Sequence, residues 1–176
     1  SGVGLVTLNV RNSTFNGTTL RLSNSIRGDI KFYLYNSITS GISSYGSFVD
    51  AEIRNNNFSG ASYITAGISN IGNYVTTNNG YSSDPYGNIS ETPSYVNQVT
   101  GDLRYQGSSP GIDCGDNTYT TTTYDADGNA RIWDGDGNGS TIVDMGAYEY
   151  GATTDTSGMY GYSSSETVSV SGNCFL

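Results

Sequence analysis

The chain has 176 residues, a formal net charge of −9 and no histidine, and it is rich in glycine and tyrosine. A surface that binds phosphates needs clustered basic residues, and only seven lysines and arginines face sixteen acidic residues, so nucleic acid is not expected as a partner. The lack of histidine argues against serine–histidine–aspartate triads and histidine metal ligands. No apolar run approaches the roughly 20 residues of a transmembrane helix, so no membrane span is expected.

The first half of the chain repeats a strand-like pattern that ends at asparagine. Apolar and polar residues alternate at 6–10 and 30–34, which predicts strands. Asparagine tolerates a left-handed backbone and can form ladders of amide hydrogen bonds where turns stack. Repeats with this irregular spacing are typical of a β-solenoid, although a β-sandwich with asparagine-rich turns would carry the same pattern. The repeated asparagines are Asn12, Asn24, Asn36, Asn55 and Asn70.

Residues 88–150 carry the most distinctive motifs. In order, they read TPSYV, GDLRYQGSSPGIDCGDN, DADGNARI and VDMGAYEY. This series resembles the C-terminal module of secreted bacterial right-handed parallel β-helix repeat proteins, the module that precedes variable surface-anchor tails. The resemblance implies an all-β fold, a right-handed parallel β-helix (solenoid) with a C-terminal terminating module and an extended tail. It implies little about activity, and the chain departs from the family at Cys114, where a small residue is usual.

The same reasoning divides the chain into three parts. Residues 1–87 are expected to form parallel β-helix coils, and residues 88–150 the C-terminal module. Residues 151–176 are rich in glycine, serine and threonine and are expected to form a tail with a short strand. The acidic composition with a single lysine favours a secreted protein, extracellular or on the cell surface, and the resemblance implies a bacterial one.

An acidic turn near residue 134 suggests a cation. Asp134, Asp136 and Asn138 match the first half of a calcium-binding loop, with alternate oxygen ligands on a glycine-rich turn. Met145 stands where the bidentate glutamate of such a loop belongs, so Asp144 would have to serve in a differently shaped loop. The alternative is that these side chains hydrogen-bond nearby backbone N–H groups in Asx turns. Calcium is therefore a candidate cofactor, and no other is expected.

The two cysteines, Cys114 and Cys174, are compatible with one disulfide bond in an oxidising compartment. Such a bond would pin the tail to the C-terminal module, or would join two chains. The alternative is a pair of buried thiols.

No motif points to catalysis. The most crowded ionisable set before residue 84 is Arg27, Asp29 and Lys31, which a solvated strand surface explains as well as an active site does. We therefore expect a non-catalytic extracellular structural protein, a surface or fibre-forming β-helix subunit whose copies stack head to tail. The alternatives are a carbohydrate-binding adhesin domain and a fragment of a polysaccharide lyase or hydrolase. The expected partners are copies of the chain itself or a surface polysaccharide.

Overall fold

The structure is a computed structural model that describes residues 6–23, 30–45, 50–59, 76–78, 81–83 and 86–153. These residues contain nine strands and two three-residue 3-10 helices, at Gln98–Thr100 and Asn117–Tyr119. Within the described residues, no helix is long and apolar enough to cross a membrane. The strands are β1 (Val6–Arg11), β2 (Thr19–Ser23), β3 (Ile30–Tyr35), β4 (Gly41–Tyr45), β5 (Asp50–Arg54), β6 (Thr76–Asn78), β7 (Tyr81–Ser83), β8 (Tyr95–Asn97) and β9 (Asp102–Tyr105).

Five of the strands pair in parallel. Strands β1, β3 and β5 form a three-stranded sheet, and β2 pairs with β4. Between these two sheets, Thr14, Ile38, Asn57 and Ile89 form a row of parallel single-residue bridges. The apolar residues of β3, β4 and β5 that point inward form one core with Phe58, namely Phe32, Leu34, Ile42 and Ile53.

The turn after each strand of the three-stranded sheet is made by asparagine, as the sequence predicts. Asn12, Asn36 and Asn55 directly follow β1, β3 and β5, and their φ angles are 45°, 48° and 53°. Gly87 occupies the next equivalent position, with a φ of 78°. A Cβ at this position would lie 2.6 Å from the side-chain amide nitrogen of Asn55. We call these four residues the corner positions. Asn24 and Asn70 lie outside the described residues.

One residue beyond the corners, buried polar groups form a hydrogen-bonded row. Asn56 donates from its side chain to Asn88 Oδ1 at 3.0 Å and accepts from the Ser37 N–H at 2.9 Å. Ser37 Oγ in turn accepts from the Ser13 N–H. Ser37, Asn56 and Asn88 are fully buried, and a buried polar group is costly unless it is paired. The row therefore fixes the register of the chain at each corner.

The remaining two sheets are antiparallel. Strand β6 pairs with β7, and β8 pairs with β9 with an irregularity between Tyr95 and Asn97. Tyr105 of β9 enters a second core, in which the C-terminal region packs on the bridge residues Ile38 and Ile89. The other buried members of this core are Ile112, Cys114 and Met145.

The predicted fold class, an all-β right-handed parallel β-helix, is wrong. The described residues form four small, separate sheets of short strands, two of them antiparallel, and no continuous solenoid runs through them. One reason lies in the residues after Ile89, where glycine, aspartate and asparagine are frequent. These residues disfavour strands and support turns bonded by side chains, so the region expected to terminate a β-helix consists mainly of loops around one short hairpin. Residues 154–176 of the predicted tail lie outside the described residues.

Candidate functional site

Three carboxylates meet in the C-terminal region, at Asp113, Asp134 and Asp136. One oxygen from each lies within 4.8 Å of the others. Asp113 is 3% exposed and has a φ of 51°, a conformation that L-residues other than asparagine and aspartate rarely adopt. Its two oxygens accept from the N–H groups of Gly135, at 3.3 Å, and Asp136, at 2.7 Å. Burial and the two neighbouring acids raise the pKa of Asp113, against the effect of these hydrogen bonds.

The turn that carries Asp134 and Asp136 is held by its own side chains. Asp134 accepts from the N–H groups of Gly137, Asn138 and Gly139 at 2.8–3.0 Å. Asp136 accepts from the Asn138 side-chain amide at 2.9 Å. Such bonds are those of Asx turns. The turn therefore has the geometry expected from the alternative to calcium, while its carboxylates stay close enough to share a hard cation.

The predicted calcium ligands are only partly brought together. Asp134, Asp136 and Asn138 share one turn, but Asp144 is not a member of the carboxylate cluster. Asp144 instead accepts from the N–H groups of Asp113, at 2.8 Å, and Tyr150, at 2.6 Å. Sequence reasoning missed Asp113, because it lies 21 residues before Asp134 and only the fold brings the two together. The calcium site stays a prediction.

Behind this cluster lies a buried ionic network formed by Arg131, Asp144 and Glu149. Arg131 donates to Glu149 Oε1 at 3.0 Å, with side-chain exposures of 5% and 1%. The same guanidinium donates to the carbonyl oxygens of Gly146 and Ala147. Glu149 accepts from the Asp144 N–H with both of its oxygens. One guanidinium cation thus lies near two buried carboxyl groups, so the simultaneous ionisation of Asp144 and Glu149 is unfavourable.

The protonation of this pair follows from its surroundings. Burial and the nearby Asp144 raise the pKa of Glu149 to about 9, although Arg131 opposes the change. Burial also raises the pKa of Asp144 to about 7, although the N–H groups of Asp113 and Tyr150 favour the charged form. Raised carboxyl pKa values also occur in general acids. Here, however, both carboxyl groups are engaged by backbone N–H groups in the protein interior.

Asp125 extends the network to a third turn. Its oxygens accept from the N–H groups of Asp127, Asn129 and Glu149 at 2.7–3.0 Å. One acidic residue therefore fixes the 125–129 turn and joins it to the segment that carries Glu149.

Arg131 Nε has no hydrogen-bond partner within the described part of the chain. The carboxylates of this region thus serve as hydrogen-bond acceptors for backbone N–H groups.

The C-terminal region is also bonded to the corner positions. The Asn36 side chain accepts from the Asp116 N–H and donates to the Asp116 carbonyl, both at 2.9 Å. Arg11 donates to the Tyr119 carbonyl at 2.8 Å and lies over the Tyr35 ring, which stacks on Tyr119 with centroids 4.1 Å apart. Hydrogen bonds and stacked rings therefore hold the C-terminal region against the ends of β1 and β3.

The other predicted residues are distributed as follows. Lys31 lies in β3, in register with Thr7 and Asp50, whereas Arg27 and Asp29 lie outside the described residues. Cys114 is fully buried in the second core. Its proposed partner Cys174 also lies outside the described residues, so the disulfide bond stays a prediction.

Comparisons with known proteins do not add to this picture. No family model, curated protein or solved structure matches the chain. The resemblance to secreted bacterial β-helix repeat proteins therefore stays a prediction that rests on the motifs of residues 88–150.

Proposed function

We propose that this chain is a non-catalytic structural protein of the extracellular space or the bacterial cell surface, whose copies associate through the edge of β1. One observation carries the non-catalytic part. In the acidic C-terminal region, the buried carboxylates of Asp113, Asp125, Asp144 and Glu149 each accept backbone N–H groups. These carboxylates therefore stabilise turns of the chain. An extracellular location is favoured by the acidic composition with a single lysine.

The association surface is the first strand of the parallel sheet. Strand β1 pairs with β3 along one side, and no described strand lies along its other side. Val6 and Leu8 on this strand are 59% and 43% exposed. A strand edge with free N–H and C=O groups and apolar side chains is a template for a strand from another chain. Two β1 edges that pair with each other give a closed dimer, whereas a β1 edge that pairs with a different edge of the next copy gives a fibre.

The experiment compares the assembly state of the 176-residue chain with that of two variants. Sedimentation velocity and negative-stain electron microscopy across a concentration series should show assemblies of the wild type. Leu8→Lys places a charge on the edge and should abolish them. Val99→Lys is the matched control, because Val99 is apolar, 97% exposed and belongs to a 3-10 helix outside the three-stranded sheet. Monomers at every concentration, or equal assembly of the two variants, would contradict the association.

Absence of catalysis is tested separately. Incubation with uronate-containing and neutral polysaccharides should release neither reducing ends nor unsaturated products. Turnover that copurifies with the chain and is lost in a Glu52→Gln variant would overturn this part of the proposal. Glu52 is chosen because it is a half-buried carboxylate on the three-stranded sheet that accepts from the Tyr35 hydroxyl at 2.9 Å.

A further inference from the structure

A small cleft lies where the bridge row meets strand β8. Its volume is about 150 Å³. Its walls come from the ends of the bridge segments and from the start of the C-terminal region. The eight lining residues are Asn16, Gly17, Ser40, Ser59, Thr92, Pro93, Tyr95 and Gln98.

The polar wall follows from the register of the chain. Thr14, Ile38 and Asn57 are bridged side by side, and Asn16, Ser40 and Ser59 each lie two residues after one of them. Neighbouring parallel strands are about 4.8 Å apart. Asn16, Ser40 and Ser59 thus bring an amide and two hydroxyl groups to the wall of the cleft.

Hydrogen bonds hold this wall in place before any ligand binds. The Ser40 N–H donates to the Thr18 carbonyl at 3.1 Å. The Ser59 N–H donates to Asn57 Oδ1 at 3.0 Å. Across the cleft, Gln98 Nε2 donates to Asn16 Oδ1 at 2.6 Å. A preorganised wall reduces the entropy that binding costs.

The opposite wall is an aromatic ring. Tyr95 stacks on Tyr105 with the rings nearly parallel and their centroids 5.9 Å apart. The Tyr105 hydroxyl donates to the Met145 carbonyl, which anchors the pair in the second core. Tyr95 and the adjacent Pro93 therefore give the cleft an apolar surface on a rigid support.

The lining chemistry selects a class of ligand. None of the eight lining residues is charged, so the cleft provides no counter-ion for an acidic or basic group. Its hydroxyl and amide groups can both donate and accept hydrogen bonds. A volume of about 150 Å³ is below the range for drug-sized ligands and suits a single small ring. A neutral sugar has this combination of hydroxyl groups around its edge and an apolar face.

We propose that this cleft binds one residue of a neutral saccharide, with the sugar hydroxyls bonded to Ser40, Ser59 and Gln98 and the apolar sugar face against Tyr95. This inference is independent of the proposed association through β1, because no residue of that strand lines the cleft. It names a ligand for a protein whose buried C-terminal carboxylates accept hydrogen bonds from its own backbone.

The test uses an array of immobilised neutral oligosaccharides, built from hexoses, deoxyhexoses and N-acetylhexosamines, beside uronic-acid oligosaccharides. The labelled 176-residue chain should bind a subset of the neutral glycans. The best of them is then titrated by calorimetry against three variants. Thr92→Trp fills the exposed rim of the cleft and should weaken binding at least tenfold. Gln98→Ala removes one hydrogen-bonding group and should weaken it by about 2- to 10-fold.

The third variant is the control. Val99→Trp adds the same ring to the neighbouring 3-10 helix at a residue that does not line the cleft, and it should bind like the wild type. Circular dichroism establishes that all three variants are folded. Failure of the wild type to bind any neutral glycan, binding of acidic glycans alone, or equal affinities of Thr92→Trp and Val99→Trp would each overturn the proposal.

Discussion

Replacing Arg131 with methionine tests whether the buried ionic network supports the fold. Methionine retains the apolar part of the side chain and removes the guanidinium that bonds Glu149 and the carbonyls of Gly146 and Ala147. Both members of the Arg131–Glu149 pair are at most 5% exposed in their side chains. Removing one partner of a buried ion pair costs about 3–5 kcal/mol where the other group stays ionised, and less where that group takes up a proton and becomes neutral.

The cost should depend on pH, with a sign that follows from the raised pKa values. Asp144 and Glu149 titrate at about 7 and 9 in the folded chain, against ordinary values of 3.8 and 4.5. The folded state therefore binds more protons than the unfolded state between those limits. The free energy of unfolding of the wild type should fall as pH rises from about 4.5 to 9, by at most about 1.4 kcal/mol per pH unit for each proton. Arg131→Met should steepen this fall, since the carboxylates then ionise without a cation.

The assay is urea unfolding at pH 5 and pH 8. It is followed by the fluorescence of Trp133, the single tryptophan, which lies two residues from Arg131. Arg104→Met is the matched control, because Arg104 is 56% exposed in its ion pair with Asp102 and such pairs contribute little. The reasoning is refuted if the two variants lose equal stability, or if the loss in Arg131→Met is the same at both pH values.

Three further predictions concern the corner positions, the carboxylate cluster and the cysteines. Asn36→Ala should lower the free energy of unfolding by about 2–4 kcal/mol, since it removes two hydrogen bonds to Asp116 and places alanine in a left-handed conformation; Asn36→Gly, which avoids the backbone strain, should lose less. Millimolar calcium should raise the melting temperature of the wild type, because a ligand bound only by the folded state stabilises that state. Magnesium should not do so, and calcium should not raise the melting temperature of Asp113→Asn. Identical melting temperatures of the wild type with calcium and with a chelator would exclude the site. On non-reducing gels, an intrachain bond between Cys114 and Cys174 should make the chain migrate faster than Cys174→Ser. A dimer band would indicate a bond between chains. Equal mobility of the two proteins would argue for two thiols.

The local turn chemistry could be predicted from the sequence, but the global fold could not. The left-handed corners at Asn12, Asn36 and Asn55 follow from one property of asparagine, which acts within a single turn. The β-helix prediction is wrong because it takes residues 88–150, on the basis of their motifs, as the end of a β-helix, whereas these residues contain only two short antiparallel strands and two 3-10 helices. In this region, hydrogen bonds from backbone N–H groups to carboxylate side chains stabilise loops instead of strands, and the sequence does not show which carboxylate accepts from which N–H group. Asp113 shows the same limit, since its partners at 135 and 136 are distant in sequence and are set by tertiary contacts.

The hydrogen-bonded row beside the corners has a consequence for how the chain tolerates change. Its successive members are 24, 19 and 32 residues apart, yet they align equally well. Doubling the length of a flexible connection costs only about 0.6 kcal/mol of closure entropy. The alignment is thus independent of the number of residues between successive members of the row. Variation can accumulate between these fixed points without disturbing the register of the strands.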